Sequence, residues 1–117
     1  MKLNVTIRAQ NDVVVVYCKG RIVYRDEATA LSDRIAQLLP DARKLILDLS
    51  CVEMIDSAGL GELVVLYIWA QAKGSSIKLA APDKRVRHLL ELTNLASVFP
   101  IHSTLDEAMH SWHGQAA

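Results

Sequence analysis

The residues of this sequence best placed to do chemistry stand at positions 48–63, which read DLSCVEMIDSAGLGEL, and among them Ser57 is the leading candidate. An apolar stretch over 44–49 has the character of a buried strand. A short connection follows it and delivers Asp56-Ser57-Ala58-Gly59 to the start of a long apolar helix. A helix N-terminus leaves backbone N–H groups without intrahelical partners and carries positive potential. A serine hydroxyl there can cap the helix, or it can take a phosphate whose charge the helix end stabilises. As a plain cap Ser57 would contribute about 1 kcal/mol. As a phosphosite it would gain roughly −1.5 to −2 charge at neutral pH. Asp56 either orients that serine or serves as a second capping carboxylate. Gly59 and Gly61 each cost about 1 kcal/mol relative to alanine inside a helix. They therefore point to close approach by another backbone, from a neighbouring loop, from the sheet or from a partner.

The remaining reactive side chains make a weaker case. His88, His102, His110 and His113 invite a metal reading, and the last two are three residues apart, but no cysteine or carboxylate completes a ligand set. Solvated histidines, with no metal and no cofactor, are the expectation. Cys18 and Cys51 lack CxxC spacing and read as reduced core thiols of a cytosolic protein. Asp83-Lys84-Arg85, with Arg87, reads as a solvated first helical turn. No GxxxxGK[ST] follows a strand, and no histidine lies near Ser57 in the chain. A regulatory binding module is expected rather than an enzyme.

The elements that must position Ser57 are marked by periodicity. Leu3, Val5 and Ile7 alternate with polar residues, Gln10-Asn11-Asp12 reads as a turn, and 13–18 is a β-branched run closed by Gly20, which together predict an antiparallel hairpin. Ala28, Leu31, Ile35, Leu38 and Leu39 recur at helical spacing over 26–39, with Pro40 as the exit. A strand over 45–49 precedes the helix after Ser57, which runs to about Ala72 and stops at Lys73-Gly74. A strand over 77–80, a helix from Pro82-Asp83 through Leu92, a short strand over 98–101 and a terminal helix to about Trp112 complete the pattern. Thr104 and Glu107 form a capping box for that last helix. On the helix after Ser57, a 100° step places Leu60, Leu63, Val64 and Tyr67 on a sheet-facing stripe and Glu62 and Lys73 on the wet side. Val65, Leu66 and Trp69 flank that wet side, with Trp69 either an exposed interface anchor or covered by the helix over 84–92.

A hairpin followed by helix–strand alternation predicts an α/β fold: one domain over 1–113, a mostly parallel sheet of about four or five strands, about four helices, and a disordered tail at 114–117. The length of 117 residues suits one core, and half of those residues are apolar. Thirteen basic and thirteen acidic residues cancel, and no Lys/Arg run occurs, which argues against direct nucleic-acid binding. The longest apolar run, 63–70, is too short to span a bilayer, and no signal peptide opens the chain, so no membrane insertion and a cytoplasmic location are expected.

This layout resembles the STAS domain family, and in particular the stand-alone bacterial anti-sigma factor antagonists. The resemblance covers essentially the whole chain. It is carried by Asp48-Leu49, Val52, Ile55-Asp56-Ser57-Ala58-Gly59-Leu60 and Leu63. It implies a non-enzymatic switch in a partner-switching cascade. The unphosphorylated form would bind an anti-sigma factor that is also a serine kinase and so free its sigma factor. Phosphorylation of Ser57 would break that complex, and a PP2C-type, metal-dependent phosphatase would reset it. Asp56, Ala58, Gly59 and Leu60 would surround the phosphosite, and Arg21, Tyr24, Gly61, Glu62 and Trp69 would contribute to the partner surface. A homodimer is compatible with these features. The chain departs from the family pattern at Val23, in Gly20-Arg21-Ile22-Val23-Tyr24, where regulated antagonists often carry aspartate or another polar residue. Two alternatives stand beside this reading. One is a phosphorylation-independent STAS subunit of a lipid-transport ABC system or a stress-signalling scaffold, and the other is a small-molecule or nucleotide sensor.

Overall fold

The computed structural model describes residues 3–39 and 41–113, without the side chains of residues 24–27 and 113. Pro40 and the tail expected at 114–117 lie outside the described residues. Alternation of Val5 and Ile7 with polar neighbours gives a half-buried strand, β1 (Asn4–Gln10). Asn11 turns the chain with φ 59, and β2 (Val13–Ile22) returns antiparallel, Gln10 facing Val13 and Asn4 facing Lys19. The chain then alternates: α1 (Tyr24–Leu38), β3 (Lys44–Ile55), α2 (Ser57–Lys73), β4 (Ser76–Ala80), α3 (Lys84–Leu92), a 3₁₀ turn (Leu95–Ser97), β5 (Ile101–His102) and α4 (Leu105–His113). The sheet order is β1-β2-β3-β4-β5, with all pairs after the hairpin parallel. This is the α/β architecture expected from the sequence.

The central strands are mostly apolar where they pair with one another because both faces of the sheet are covered there. Val16, Cys18, Leu45, Leu47, Leu49 and Leu79 share a core with Ala28, Leu31 and Ile35 of α1, Leu63, Leu66 and Ala70 of α2, and Val86 and Leu90 of α3. On the opposite face Val13, Val15, Ile46 and Ala80 pack with Ala108 of α4. Lys78 is buried under that helix, bonded to Ser111 and set 4.3 Å from the Trp112 ring centroid. Asp83 caps α3 by accepting from Val86 N–H at 2.8 Å. Thr104 accepts from Glu107 N–H at 3.0 Å, while the Glu107 carboxylate reaches back to Ser103 N–H.

Several sequence expectations need correction. β2 does not close at Gly20: it runs on to Ile22, with Gly20 at φ 117 beside a register shift. β3 extends to Ile55 rather than stopping at Leu49, so no loop separates the strand from Asp56. Its extension alternates buried Val52 and Ile55 with exposed Cys51, Glu53 and Met54, a pattern with too much polar surface to read as a buried strand. Cys51 is therefore a surface thiol. Cys18 is a core thiol, pushed up to about 12 by burial and then by the charge of Asp48, which keeps it protonated. The first helix starts at Tyr24, two residues early, and the last strand is Ile101–His102 rather than 98–101, because Val98 and Phe99 still turn with the 3₁₀ segment before them, their N–H groups donating to the Leu95 carbonyl. His102 is only partly solvated: its Nε2 is buried and has no hydrogen-bond partner among the described residues, and its pKa is lowered by burial and by neighbouring Lys78, against an upward pull from Glu107.

Candidate functional site

The junction between β3 and α2 brings the candidate residues together. The outer half of β3 is held by β2 alone, since β4 pairs only as far as Asp48, and it ends with Ile55 opposite Ile22. Asp56 N–H donates to the Ile22 carbonyl at 3.4 Å, which ties the start of α2 to the end of β2. The same carbonyl decides the third helical residue. A Cβ added to Gly59 would stand 2.0 Å from Ile22 O, so only glycine allows the two backbones this separation. Gly61 behaves differently: nothing lies within 4 Å of where its Cβ would be. The close approach expected of both glycines is thus met inside the molecule by Gly59 only.

The cap is Asp56, not Ser57. Asp56 has extended backbone (φ −102, ψ −174), and its Oδ1 accepts from Gly59 N–H at 2.9 Å. Its carbonyl accepts the first helical bond, from Leu60 N–H at 2.9 Å. Ser57 is then the first helical residue, exposed, and among the described residues its hydroxyl makes no hydrogen bond. Neighbouring Ala58 is also exposed, Leu60 is half-buried, and no acidic residue occupies the first turn. The arrangement presents a hydroxyl at the positive end of a 17-residue helix with no structural duty assigned to it.

The other candidates fall unevenly around this point. Arg21 is exposed at the end of β2, paired in register with Met54. Val23 follows as the half-buried N-cap residue of α1, with no side-chain capping bond. Tyr24 opens α1, and its side chain lies outside the described residues. Glu62 is not on a wet face: it is half-buried against α1, its Oε2 accepting from Ser32 Oγ at 2.6 Å. Trp69 is 38% exposed, so the helix over 84–92 does not cover it. The buried residues of α2 are Gly59, Leu63, Leu66 and Ala70. The expected stripe was rotated: Val64 is exposed, Leu66 is fully buried, and Leu60 and Tyr67 form a half-buried flank, Tyr67 meeting Phe99 edge-on at 5.6 Å. A helix that is apolar all round does not select a face by periodicity. The seat of Gly59 on Ile22 selects it.

Sequence reasoning missed a groove of about 210 Å³ beside this junction, between the end of β3 and α3, where Met54 and Leu92 are exposed and Arg85 and His88 stand on one wall. Among the described residues no group of three or more His, Cys, Asp and Glu side chains is placed to hold a metal ion, and no helix is long and apolar enough to cross a membrane.

The fold agrees with comparisons to known proteins. The STAS domain family model matches residues 4–108, and the chain belongs to that family. A Thermotoga neapolitana relative, provisionally named as an anti-sigma factor antagonist homologue, is 36% identical over 72 residues, covering 62% of this chain and 64% of its own length. The chain thus matches less than two thirds of that relative. The anti-sigma-F factor antagonist RsfB of Mycobacterium tuberculosis is 30% identical over 115 residues, with 96% of this chain and 91% of RsfB covered. The crystal structure of an anti-sigma factor antagonist from Mycobacterium paratuberculosis superposes with a TM-score of 0.83 at 28% identity, covering 94% of this chain and 93% of that one.

Proposed function

We propose that this chain is an anti-sigma factor antagonist switched by phosphorylation of Ser57. In its unphosphorylated form it binds an anti-sigma factor serine kinase and so releases a sigma factor. The phosphorylated form lets go, and a PP2C-type phosphatase restores binding. The observation that carries this reading is the division of labour at the start of α2. Asp56 caps the helix, and Ser57 is left exposed, free of hydrogen bonds among the described residues, at the positive helix end. In the free protein a phosphate there is partly offset by the helix N-terminus, by about 0.3–1 kcal/mol. In a complex it must be desolvated, and a penalty of a few kcal/mol lowers affinity by orders of magnitude. Tolerance when free and rejection when bound is the asymmetry a switch requires. Arg21, Gly61 and Trp69 are the exposed candidates for the partner surface, and the family resemblance adds Tyr24 to them.

The test is capture from native-host lysate with three baits, read by mass spectrometry. Wild type and Ser57→Ala should retain an ATPase-fold serine kinase, and Ser57→Asp should lose it by at least about tenfold. A second reading draws on Val23, an apolar residue where regulated antagonists of the family often carry a polar one. Equal recovery of an ABC ATPase by all three baits would establish that reading and make the protein a constitutive subunit.

A further inference from the structure

We propose that the groove between the end of β3 and α3 docks an acidic segment of the anti-sigma factor. One bulky apolar side chain of that segment sits between Met54, Leu89 and Leu92, and a neighbouring carboxylate is set against Arg85. The inference rests on the reading of the chain as an anti-sigma factor antagonist and gives its contact surface a second anchor. Arg85, His88, Leu89 and Leu92 recur at the spacing that puts them on one side of α3, and all four line the groove. Glu53 and Met54 form the facing rim at the end of β3. Val86 and Leu90 already anchor the helix in the core, while Met54 and Leu92 stay 42% and 68% exposed.

The charge of α3 says what the groove takes. Lys84, Arg85 and Arg87 crowd its start, where the free backbone N–H groups are already positive, no acid occupies the first turn, and Glu91 lies in the last. The helix is thus charged against its own dipole. Among the described residues none of these three cations makes an ion pair, the salt bridge present being Lys44–Asp12. A local arrangement that opposes the fold and is offset by nothing inside the molecule marks a place where an outside anion offsets it. Glu53 repels a carboxylate from the β3 rim, so the acid of the docked segment is directed to the α3 wall. A volume of about 210 Å³ is smaller than the roughly 300–1,000 Å³ of small-molecule pockets and suits one anchoring side chain of a protein. A formal net charge of zero does not suit nucleic acid, which would also leave Met54 and Leu92 without a role. The groove is continuous with the proposed contact surface. Met54 pairs in register with Arg21, and Ile55 on its floor leads directly into Asp56 and Ser57.

Calorimetric affinity of the purified full chain for the kinase that wild type retains tests the inference. Arg85→Glu and Leu92→Glu should each weaken binding by at least about tenfold. Arg43→Glu, the same charge reversal at an exposed site just before the opposite end of β3, should bind like wild type. The gap between wild type and Arg85→Glu should close near 1 M salt, where exposed charges are screened. Thermal melting should show all three variants folded, with Arg85→Glu melting above wild type because it places an anion at the helix N-terminus. Its lost affinity would then owe nothing to a damaged fold. Wild-type affinity in either groove variant would overturn the proposal, as would an equal loss in Arg43→Glu. If Ser57→Asp loses the kinase while the groove variants keep it, the switch stands and this docking site falls. If wild type retains no kinase, both fall.

Discussion

Two helices of this protein begin in the same way and offer opposite chemistry. α2 and α3 each follow a parallel strand, and each is capped by an aspartate whose carboxylate accepts from the N–H three residues on, Gly59 at 2.9 Å and Val86 at 2.8 Å. Beyond the cap they diverge. α3 continues with Lys84 and Arg85, cations that stand against the positive helix end, and its third residue is a buried valine. α2 continues with Ser57 and Ala58, neutral and exposed, and its third residue is a glycine pressed onto the Ile22 carbonyl. An aspartate cap is therefore common to these two helices and does not set α2 apart. The parts particular to α2 are the unoccupied hydroxyl and the backbone contact that orients it.

The largest difference to exploit lies at the third helical position. Gly59→Val should destabilise the protein by at least about 3 kcal/mol, because its Cβ meets a backbone oxygen at 2.0 Å and neither element can move without breaking the β2–β3 pairing. Gly61→Ala, two residues away in open space, should instead stabilise by about 0.5–1 kcal/mol. Urea unfolding midpoints measure both. A mild effect of Gly59→Val would mean that α2 is not anchored on Ile22, and the exposure argued for Ser57 would lose its support.

The caps give a smaller and more pointed test. Asp56→Ala and Asp83→Ala should each cost about 1 kcal/mol, within the usual range of about 0.5–2. Ser57→Ala should change stability by less than about 0.5 kcal/mol, since the hydroxyl bonds to nothing described. Should Ser57→Ala cost as much as Asp56→Ala, the serine would be sharing the capping role and the contrast between the two helices would collapse.

How much of this was legible before the structure depended on whether the signal was local. The hairpin, the stop of α2 at Lys73-Gly74 (Gly74 at φ 75) and the start of α3 at Asp83 are written in adjacent residues, and they appear where the sequence puts them. The motif over 48–63 pointed to the candidate site. The cap was ambiguous because Asp56 and Ser57 are both good capping residues and stand side by side, and the choice depends on backbone torsions set by Ile22, 34 positions upstream. The end of β3 was invisible for a related reason: past Leu49 the strand is paired on one side only, so exposed residues interrupt its apolar pattern. The engagement of Glu62 by Ser32 joins residues 30 apart on two helices, and no window of sequence contains it.

The smallest predicted effects concern charge at the first helical residue, and they bear directly on the proposed switch. Replacing Lys84 by glutamate removes a cation from the positive end of α3 and adds an anion, a change of two charges, whereas Ser57→Asp adds one to α2. Each new carboxylate should stabilise the isolated protein by about 0.3–1 kcal/mol at low ionic strength, with Lys84→Glu giving the larger gain. Both gains should fade near 1 M salt, where the screening length falls to about 3 Å. Thermal melts at low and high salt measure them. A gain at Ser57→Asp, together with lost kinase capture, would show that negative charge at this position opposes the complex and not the fold. If Ser57→Asp instead destabilised the free protein, lost binding could be explained by a damaged α2, and the asymmetry on which the proposed switch depends would be absent.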